Sequence, residues 1–189
     1  RVLFRSETSP DTLILADICH SVLYIMADIH QAIFPFVDFA TFTMDKCLRG
    51  PQGGVLVYRS SFEREISYSI FPRTQGGPTQ SALFAKCICL IKLLSIDIQS
   101  YAKEVLKNTQ LLIDCLTSYG IDVIYKQSKT HVVLINLSNL NFNGKEAEEL
   151  LFEHRILVNR NQIPNDIYGP MTTSGIRLGT VGITNLGYT

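Results

Sequence analysis

A lysine in a glycine-rich turn and a carboxylate at the end of an apolar run have the clearest chemical potential in this sequence. Lys46 precedes the turn at 48–54, whose glycines would let backbone come close to a ligand. Asp17 follows the apolar run 13–16. A buried acid that keeps a pyridine nitrogen protonated, and a lysine amine that forms a Schiff base, are what pyridoxal phosphate (PLP) requires. We therefore interpret Asp17 and Lys46 as a candidate PLP site and expect Asp17 to be buried.

Three further features are candidates for the same chemistry, and each has an ordinary structural alternative. His20 follows the strand end at Asp17, although on its own it is more typical of a core histidine bonded to a backbone carbonyl. Gly76-Gly77 could present backbone N–H groups to an anion, although such a pair is most often only a turn. Arg177 lies in a β-type run between glycines, where it is either a fork for a carboxylate or an edge-strand arginine in a salt bridge.

The bulk composition excludes several classes of protein. The chain has 189 residues, of which 46% are hydrophobic, so it can build a real core. Its 17 basic and 17 acidic residues form no block of one sign, which argues against nucleic acid or an anionic membrane as partner. The longest apolar run, 88–94, is interrupted by Lys92 and is too short to span a bilayer. We expect a soluble protein that acts on small molecules.

Cysteine and histidine usage bears on the compartment and on metals. The five cysteines include no CxxC pair, and several lie in apolar runs, which favours free thiols in a reducing, cytoplasmic setting. The histidines other than His20 are scattered, without carboxylates or cysteines at metal spacing: His30, His131 and His154. We therefore predict no metal site.

The order of predicted elements is that of an α/β protein. The stretch 12–18 is typical of a strand buried on both faces of a parallel sheet, whose carboxyl end is where ligands bind. The helix at 80–94 is apolar almost all round and is therefore predicted to be buried. The other predicted elements are strands at 39–43, 54–58, 121–125, 131–137, 156–158 and 176–180, a helix from 98 to 119, and a helix capped by Asn143 that runs to about 154.

We predict two domains and an incomplete chain. Residues 1–6 fit no element and are interpreted as a non-native leader. Residues 7–95 would form the C-terminal part of a large domain, and residues 96–189 a small, truncated α/β domain, with the boundary near 95–97. The chain is expected to be an internal fragment of a longer protein.

Six stretches together carry a resemblance to a known family, through their order and spacing. They are 15–20 (LADICH), Lys46 with 48–54 (LRGPQGG), 71–72 (FP) with 75–78 (QGGP), 144–147 (GKEA), 158–161 (VNRN) with 164–166 (PND), and 173–180 (TSGIRLGT). Along nearly all of residues 11–187 the chain resembles serine hydroxymethyltransferase. The resemblance implies an α/β, fold-type-I PLP-dependent transferase of aminotransferase-like fold, with a partial large domain containing a mostly parallel sheet and a small C-terminal α/β domain.

The resemblance also implies roles for the PLP-binding residues. Lys46 would carry PLP, with Thr43 supporting the lysine. Asp17 would pair with the ring nitrogen, and His20 would lie near the phenolic oxygen. Gly76-Gly77 would offer backbone N–H groups to the PLP phosphate of a neighbouring subunit, which implies a homodimer or homotetramer with shared active sites.

The implied reaction interconverts serine and glycine and passes the one-carbon unit to tetrahydrofolate, the cosubstrate. Arg177 would hold the amino-acid carboxylate and Asn161 the pterin. In the family, the N-terminal half supplies further site residues, so this fragment is expected to be inactive alone.

Departures from the family pattern keep two alternatives open. The family has a histidine where Asp45 stands and an arginine where Gln52 stands. The usual histidine after Gly-Gly-Pro is absent from 79–81, and 181–182 and Leu186 also differ from the pattern. The alternatives are a related PLP-dependent aldolase or transaldolase acting on threonine-like β-hydroxy amino acids, and a catalytically degraded paralogue that serves as an interaction protein.

Overall fold

The computed structural model describes residues 11–34 and 36–188 of the chain. The predicted leader at 1–6 lies outside these described residues. The chain divides after Ala102 into two units, and the division falls inside the long helix Ile98–Ser118. The boundary predicted at 95–97 lies just before that helix. Each unit has its own sheet.

The first unit contains a three-stranded sheet. The segment between its second and third strands, residues 44–53, contains Lys46 and is called the Lys46 turn. The strands of the sheet are β1 (Leu15–Asp17), β2 (Phe39–Thr43) and β3 (Gly54–Tyr58), in the order β1-β2-β3. β1 and β2 are parallel and are connected by a helical crossover. β2 and β3 are antiparallel and are connected directly by the Lys46 turn. A mostly parallel sheet is therefore not confirmed in these strands.

Buried side chains on both sides of the turn tie it to the first helix. The core of this unit includes Leu23 and Tyr24 from that helix, with Met44 and Leu48 from the turn. The helical elements of the unit are α1 (Val22–Met26), a 3-10 turn (Ser60–Phe62), α2 (Glu63–Tyr68), an irregular turn (Ser69–Thr74), α3 (Gln80–Ser95) and the start of α4 (Ile98–Ser118).

A buried carboxylate fixes β1 against its neighbour. Asp38 is 3% exposed; its Oδ2 accepts from the Ile14 amide at 2.8 Å, and its Oδ1 lies 3.1 Å from Arg59 Nε. Because an unpaired charge at such a depth is costly, Arg59 stabilises the carboxylate that orients β1. This clamp holds the strand that ends at Asp17.

Two predictions of burial are wrong. β1 is an edge strand of the described sheet, with Leu15 61% exposed and Asp17 exposed. In α3 only Leu93 is buried, whereas Phe84 is 68% exposed. An apolar pattern indicates that a surface favours burial, but it does not indicate whether another element packs against that surface. Within the described residues, little covers β1 and α3.

The second unit is built on a four-stranded antiparallel sheet. Its order is β4-β5-β7-β6, with strands β4 (Asp122–Val123), β5 (Val132–Asn136), β6 (Asn159–Asn161) and β7 (Gly175–Gly179). The strand predicted at 156–158 is wrong, because pairing with β7 begins only at Asn159. The intervening residues, including the 80% exposed Leu157, turn the chain back from the preceding helix.

Helix α4 and the helix that follows it each contribute a residue to the core of this unit. α5 (Gly144–Glu153) begins at the predicted cap, where Asn143 accepts from the Glu146 amide and Glu146 accepts from the Asn143 amide. The short α6 (Val181–Asn185) follows β7. The core comprises Ile113, Val123, Val133, Ile135, Leu137, Ala147 and Ile176. No helix in the described part of the chain combines the length and apolarity needed to cross a bilayer.

Candidate active site

Asp17 lies at the carboxyl end of β1, next to Thr41 of β2. Its Oδ1 accepts a hydrogen bond from the Cys19 amide at 2.9 Å. The Cys19 side chain and amide hold the pKa of Asp17 below its usual range, although burial opposes this shift. The charges of Lys46 and His20 lower the pKa by smaller amounts. Asp17 is therefore an anion at neutral pH, and Lys46 and His20 lie in its electrostatic neighbourhood.

Lys46 is exposed, while the residues around it anchor the turn. Met44 and Cys47 are both fully buried. The turn is closed by hydrogen bonds from the Met44 amide to the Gly53 carbonyl at 3.1 Å and from the Gly50 amide to the Met44 carbonyl at 2.8 Å. The buried residues on both sides of Lys46 anchor the backbone, while Lys46 itself is exposed and its amine is accessible.

A buried thiol connects the Lys46 turn to the segment after Asp17. Cys47 Sγ donates to the Cys19 carbonyl oxygen at 3.3 Å. Burial raises the pKa of Cys47 to about 11, so the group remains a thiol and keeps its proton for this bond. The Cys19 amide in turn donates to Asp17. The segment after Asp17 and the Lys46 turn are thus connected through Cys19 and Cys47.

Thr43, at the end of β2, carries a polar atom that lacks a partner within the described residues. Its Oγ1 is buried and makes no hydrogen bond there. Buried hydroxyls normally have a partner, since an unsatisfied one costs about 1–3 kcal/mol. An unsatisfied hydroxyl three residues before Lys46 is therefore an observation in favour of a ligand at this site.

Gly76 and Gly77 lie in an exposed segment between the irregular turn and α3. A Cβ at either position would meet nothing within 4 Å. The described residues therefore form no closed cradle around this pair. Exposure of this kind is compatible with a contact to another subunit, which is the role that the resemblance implies.

Arg177 and Asn161 share one face of the second sheet. Arg177 is opposite Asn159 of β6, and Asn161 is opposite Gly175 of β7, so alternation places all of them on the same face. The opposite face carries Ile176, which belongs to the core. The two predicted substrate residues are thus brought together on a polar face.

The surroundings of Arg177 do not match an edge-strand salt bridge. β7 is an internal strand, and within the described part of the chain the Arg177 guanidinium has no ion pair or side-chain hydrogen bond. It is half-buried. A guanidinium in this position can grip a carboxylate with two parallel hydrogen bonds.

Asp166 organises the loop that follows Asn161, a role that the sequence did not indicate. Its carboxylate accepts from the amides of Ile163 at 3.1 Å and Tyr168 at 2.8 Å, and from both the amide (2.8 Å) and the hydroxyl (2.7 Å) of Ser174. Burial raises the pKa of Asp166, but the hydrogen bonds from Ser174, Tyr168 and Ile163 outweigh it, and the pKa falls to about 2. The donors lie two, three and eight residues from Asp166, and in the sequence such a carboxylate is indistinguishable from one in an ordinary polar turn.

The low pKa of Asp166 predicts an acid-sensitive loop. The folded-state pKa lies below the ordinary value of 3.8, so the carboxylate contributes stability above pH 3.8 that is lost as the pH falls towards 2. We expect Asp166→Asn to lower the free energy of unfolding of the second unit at pH 6 by about 1–2 kcal/mol, and by less at pH 2.5. Denaturant unfolding over this pH range measures the difference.

Ser174→Ala is the graded control for that prediction. It removes the hydroxyl donor but keeps the amide donor, so its effect should have the same sign and be smaller. A difference between wild type and Asp166→Asn that does not change with pH would contradict the role given to the carboxylate.

A carboxylate at one strand end and a lysine after the neighbouring strand are an arrangement suited to a PLP-dependent transferase, the class that this mixed α/β chain fits. A family model described as serine hydroxymethyltransferase matches residues 7–189, and the chain belongs to that family. The resemblance inferred from the short motifs is thereby confirmed. The family implies a PLP-dependent transferase of fold type I.

The described residues fit PLP on their own chemistry. Asp17 is an anion suited to a pyridinium nitrogen, Lys46 presents an accessible amine, and the buried hydroxyl of Thr43 lacks a partner among the described residues. Sequence reasoning missed the thiol of Cys47 that connects these groups. The only indication of this role in the sequence is that Cys47 is next to Lys46, because a cysteine in an apolar context is usually interpreted as a small hydrophobic residue.

Proposed function

We propose that the full-length protein interconverts serine and glycine with PLP and transfers the one-carbon unit to tetrahydrofolate. The observation that carries the proposal is the common neighbourhood of Asp17, His20 and Lys46, joined by the Cys47–Cys19 hydrogen bond. Membership in the serine hydroxymethyltransferase family supports it.

The residues of the first unit would bind and tune the cofactor. PLP, when bound, supplies an electron sink for the bond cleavage at the amino-acid Cα. Lys46 would bind PLP covalently, and the anionic Asp17 would keep the ring nitrogen protonated. His20 would lie near the phenolic oxygen of PLP. The hydroxyl of Thr43 gains a polar partner beside the lysine.

The residues of the second unit would bind the substrates. Arg177 holds the amino-acid carboxylate, because its guanidinium has no ion-pair partner among the described residues and projects from the face opposite the core. Asn161, on the same face, contacts the pterin of tetrahydrofolate. The loop fixed by Asp166 holds this end of β6 in position.

The assembly and compartment follow from the same proposal. Gly76 and Gly77 would contact the PLP phosphate of a neighbouring subunit, which would require a homodimer or a homotetramer. Their exposure supports this role. The partners are a small amino acid and a folate rather than nucleic acid or membrane. We propose a cytoplasmic location, in keeping with five free cysteines.

Borohydride reduction of the PLP-loaded full-length protein tests the proposal directly. We expect a pyridoxyl label on the peptide that contains Lys46, because the lysine amine is accessible in an otherwise anchored turn. Lys46→Ala should abolish the label, whereas Lys92→Met, a change at an exposed lysine of α3, should keep it. Mass spectrometry of the digested protein locates the label, and a label on any other lysine would rule out this site.

Folate dependence separates the proposed reaction from the alternatives. The exposed Asp45 beside Lys46 is the observation that favours an aldolase or transaldolase acting on β-hydroxy amino acids. Serine cleavage that strictly requires tetrahydrofolate would exclude this alternative. A degraded paralogue would give no PLP absorbance at all when the full-length protein is mixed with the cofactor.

A further inference from the structure

Helix α3 touches the turn after Lys46 through a second lysine. Lys86 Nζ donates to the Gly54 carbonyl oxygen at 3.1 Å. The same side chain lies against Gly53, where an added Cβ would be 2.6 Å from both Lys86 Cε and Nζ. Gly53 has a φ of +143°, a conformation that side-chain-bearing residues rarely adopt. Lys86 thus contacts the two glycines at the end of the turn.

One helical turn later, α3 makes a second contact with the same segment. Cys89 Sγ donates to the Leu48 carbonyl oxygen at 3.6 Å, and a Cβ on Gly50 would be 2.9 Å from that sulfur. Residues separated by three positions lie on one helix face, so Lys86 and Cys89 contact the turn side by side. The helix therefore holds both the start and the end of the segment 48–54.

The backbone that Lys86 contacts is hydrogen-bonded to residues near Lys46. Gly53, which packs against Lys86, accepts a hydrogen bond from the Met44 amide, and Met44 in turn accepts from the Gly50 amide. Met44 lies two residues before Lys46 and is fully buried. A displacement of Gly53 would therefore change the backbone that orients the Lys46 amine.

We propose that Lys86 is a positioning residue for Lys46, acting through its hydrogen bond to Gly54 and its contact with Gly53. The proposal rests on the proposed function of Lys46 as the PLP lysine. The ammonium matters as a donor, since it is the group that reaches the Gly54 carbonyl. The aliphatic stem alone would fill space beside Gly53 without fixing the carbonyl.

Hydrogen exchange and kinetics of the full-length, PLP-loaded protein test this role. Lys86→Met keeps the length of the stem and removes the donor. We expect exchange of the Met44 and Gly50 amides to accelerate by about threefold to tenfold. We also expect kcat to fall by a similar factor while KM for serine stays constant, because the substrate contacts are unchanged.

Two matched variants separate positioning from general damage. Lys86→Arg retains a cationic donor and should recover most of both effects. Lys92→Met makes the same change at an exposed lysine of α3 and should leave exchange and kcat at wild-type values. Wild-type exchange at Met44 and Gly50 in Lys86→Met, or equal kcat losses in Lys86→Met and Lys86→Arg, would overturn the proposal.

Failure of the proposed function is read out separately. If the wild-type protein carries no PLP on Lys46, that function fails and the catalytic role of Lys86 falls with it. If PLP is bound at Lys46 but exchange in Lys86→Met is unchanged, only the positioning role is overturned.

Discussion

Replacement of Asp17 by asparagine in the full-length protein is expected to lower kcat by on the order of 10²–10³-fold while PLP remains bound. The pKa of Asp17 lies below its usual range, so the side chain is an anion at the pH of the reaction. A neutral amide would not hold the ring nitrogen protonated, and the cofactor would become a weaker electron sink. Steady-state kinetics and the absorbance of bound PLP measure the two parts of this prediction.

Asp28→Asn is the matched control for this variant. Asp28 is exposed near the end of α1, in the same unit, and its φ of 54° is one that asparagine adopts readily. We expect this variant to keep wild-type kcat. If Asp17→Asn also kept wild-type kcat, Asp17 would not be the partner of the ring nitrogen. If it lost PLP altogether, the carboxylate would serve mainly in binding.

The elements with strong local signals could be predicted from the sequence. The strands at 39–43 and 54–58 have the predicted bounds, because β-branched and aromatic residues lie between clear breakers. The cap at Asn143 is confirmed, because a capping box depends only on residues three positions apart. Helix α4 begins where predicted and ends just before Gly120.

Burial could not be predicted in the same way. The apolar residues of β1 and α3 favour burial, but whether they are covered depends on other elements, and a helix pattern carries no information about its partner. The exposure of Leu15 and Phe84 shows the consequence. The strand predicted at 156–158 lies three residues before the observed strand at 159–161 for a related reason. The residues of the observed strand are polar, so β propensity does not identify them.

The residue types and positions of the proposed site can be read from the sequence, whereas the hydrogen bonds that connect them cannot. A carboxylate at a strand end and a lysine after a neighbouring strand are visible as types and positions, and the structure brings both together. The Cys47 thiol and the Lys86 ammonium act through backbone atoms 28 and 32 residues away in the sequence. The Asp166 carboxylate accepts from backbone amides up to eight residues away. Backbone acceptors and donors have no sequence signature, so these three roles require coordinates.

Replacement of Gly175 by alanine is expected to destabilise the second unit by about 3 kcal/mol or more. An added Cβ would be 2.5 Å from Ile163 Cγ2, 2.6 Å from the Ile135 carbonyl oxygen and 3.0 Å from the Asn161 carbonyl oxygen. The two oxygens belong to the strands on either side of β7, so the backbone itself must shift to make room. Because Gly175 lies opposite Asn161 and on the face of Arg177, the shift should also weaken serine binding.

Gly179→Ala, in the same strand, separates this clash from the general effect of alanine in a sheet. A Cβ at Gly179 would lie 3.6 Å from His131 Cδ2, an ordinary van der Waals contact. Its free energy of unfolding should stay within about 0.5 kcal/mol of wild type. Denaturant unfolding and KM for serine of both variants in the full-length protein test the comparison. Equal stability of the two variants would mean that the backbone around Gly175 can shift at little energetic cost. The close packing of the three strands would then not position Arg177.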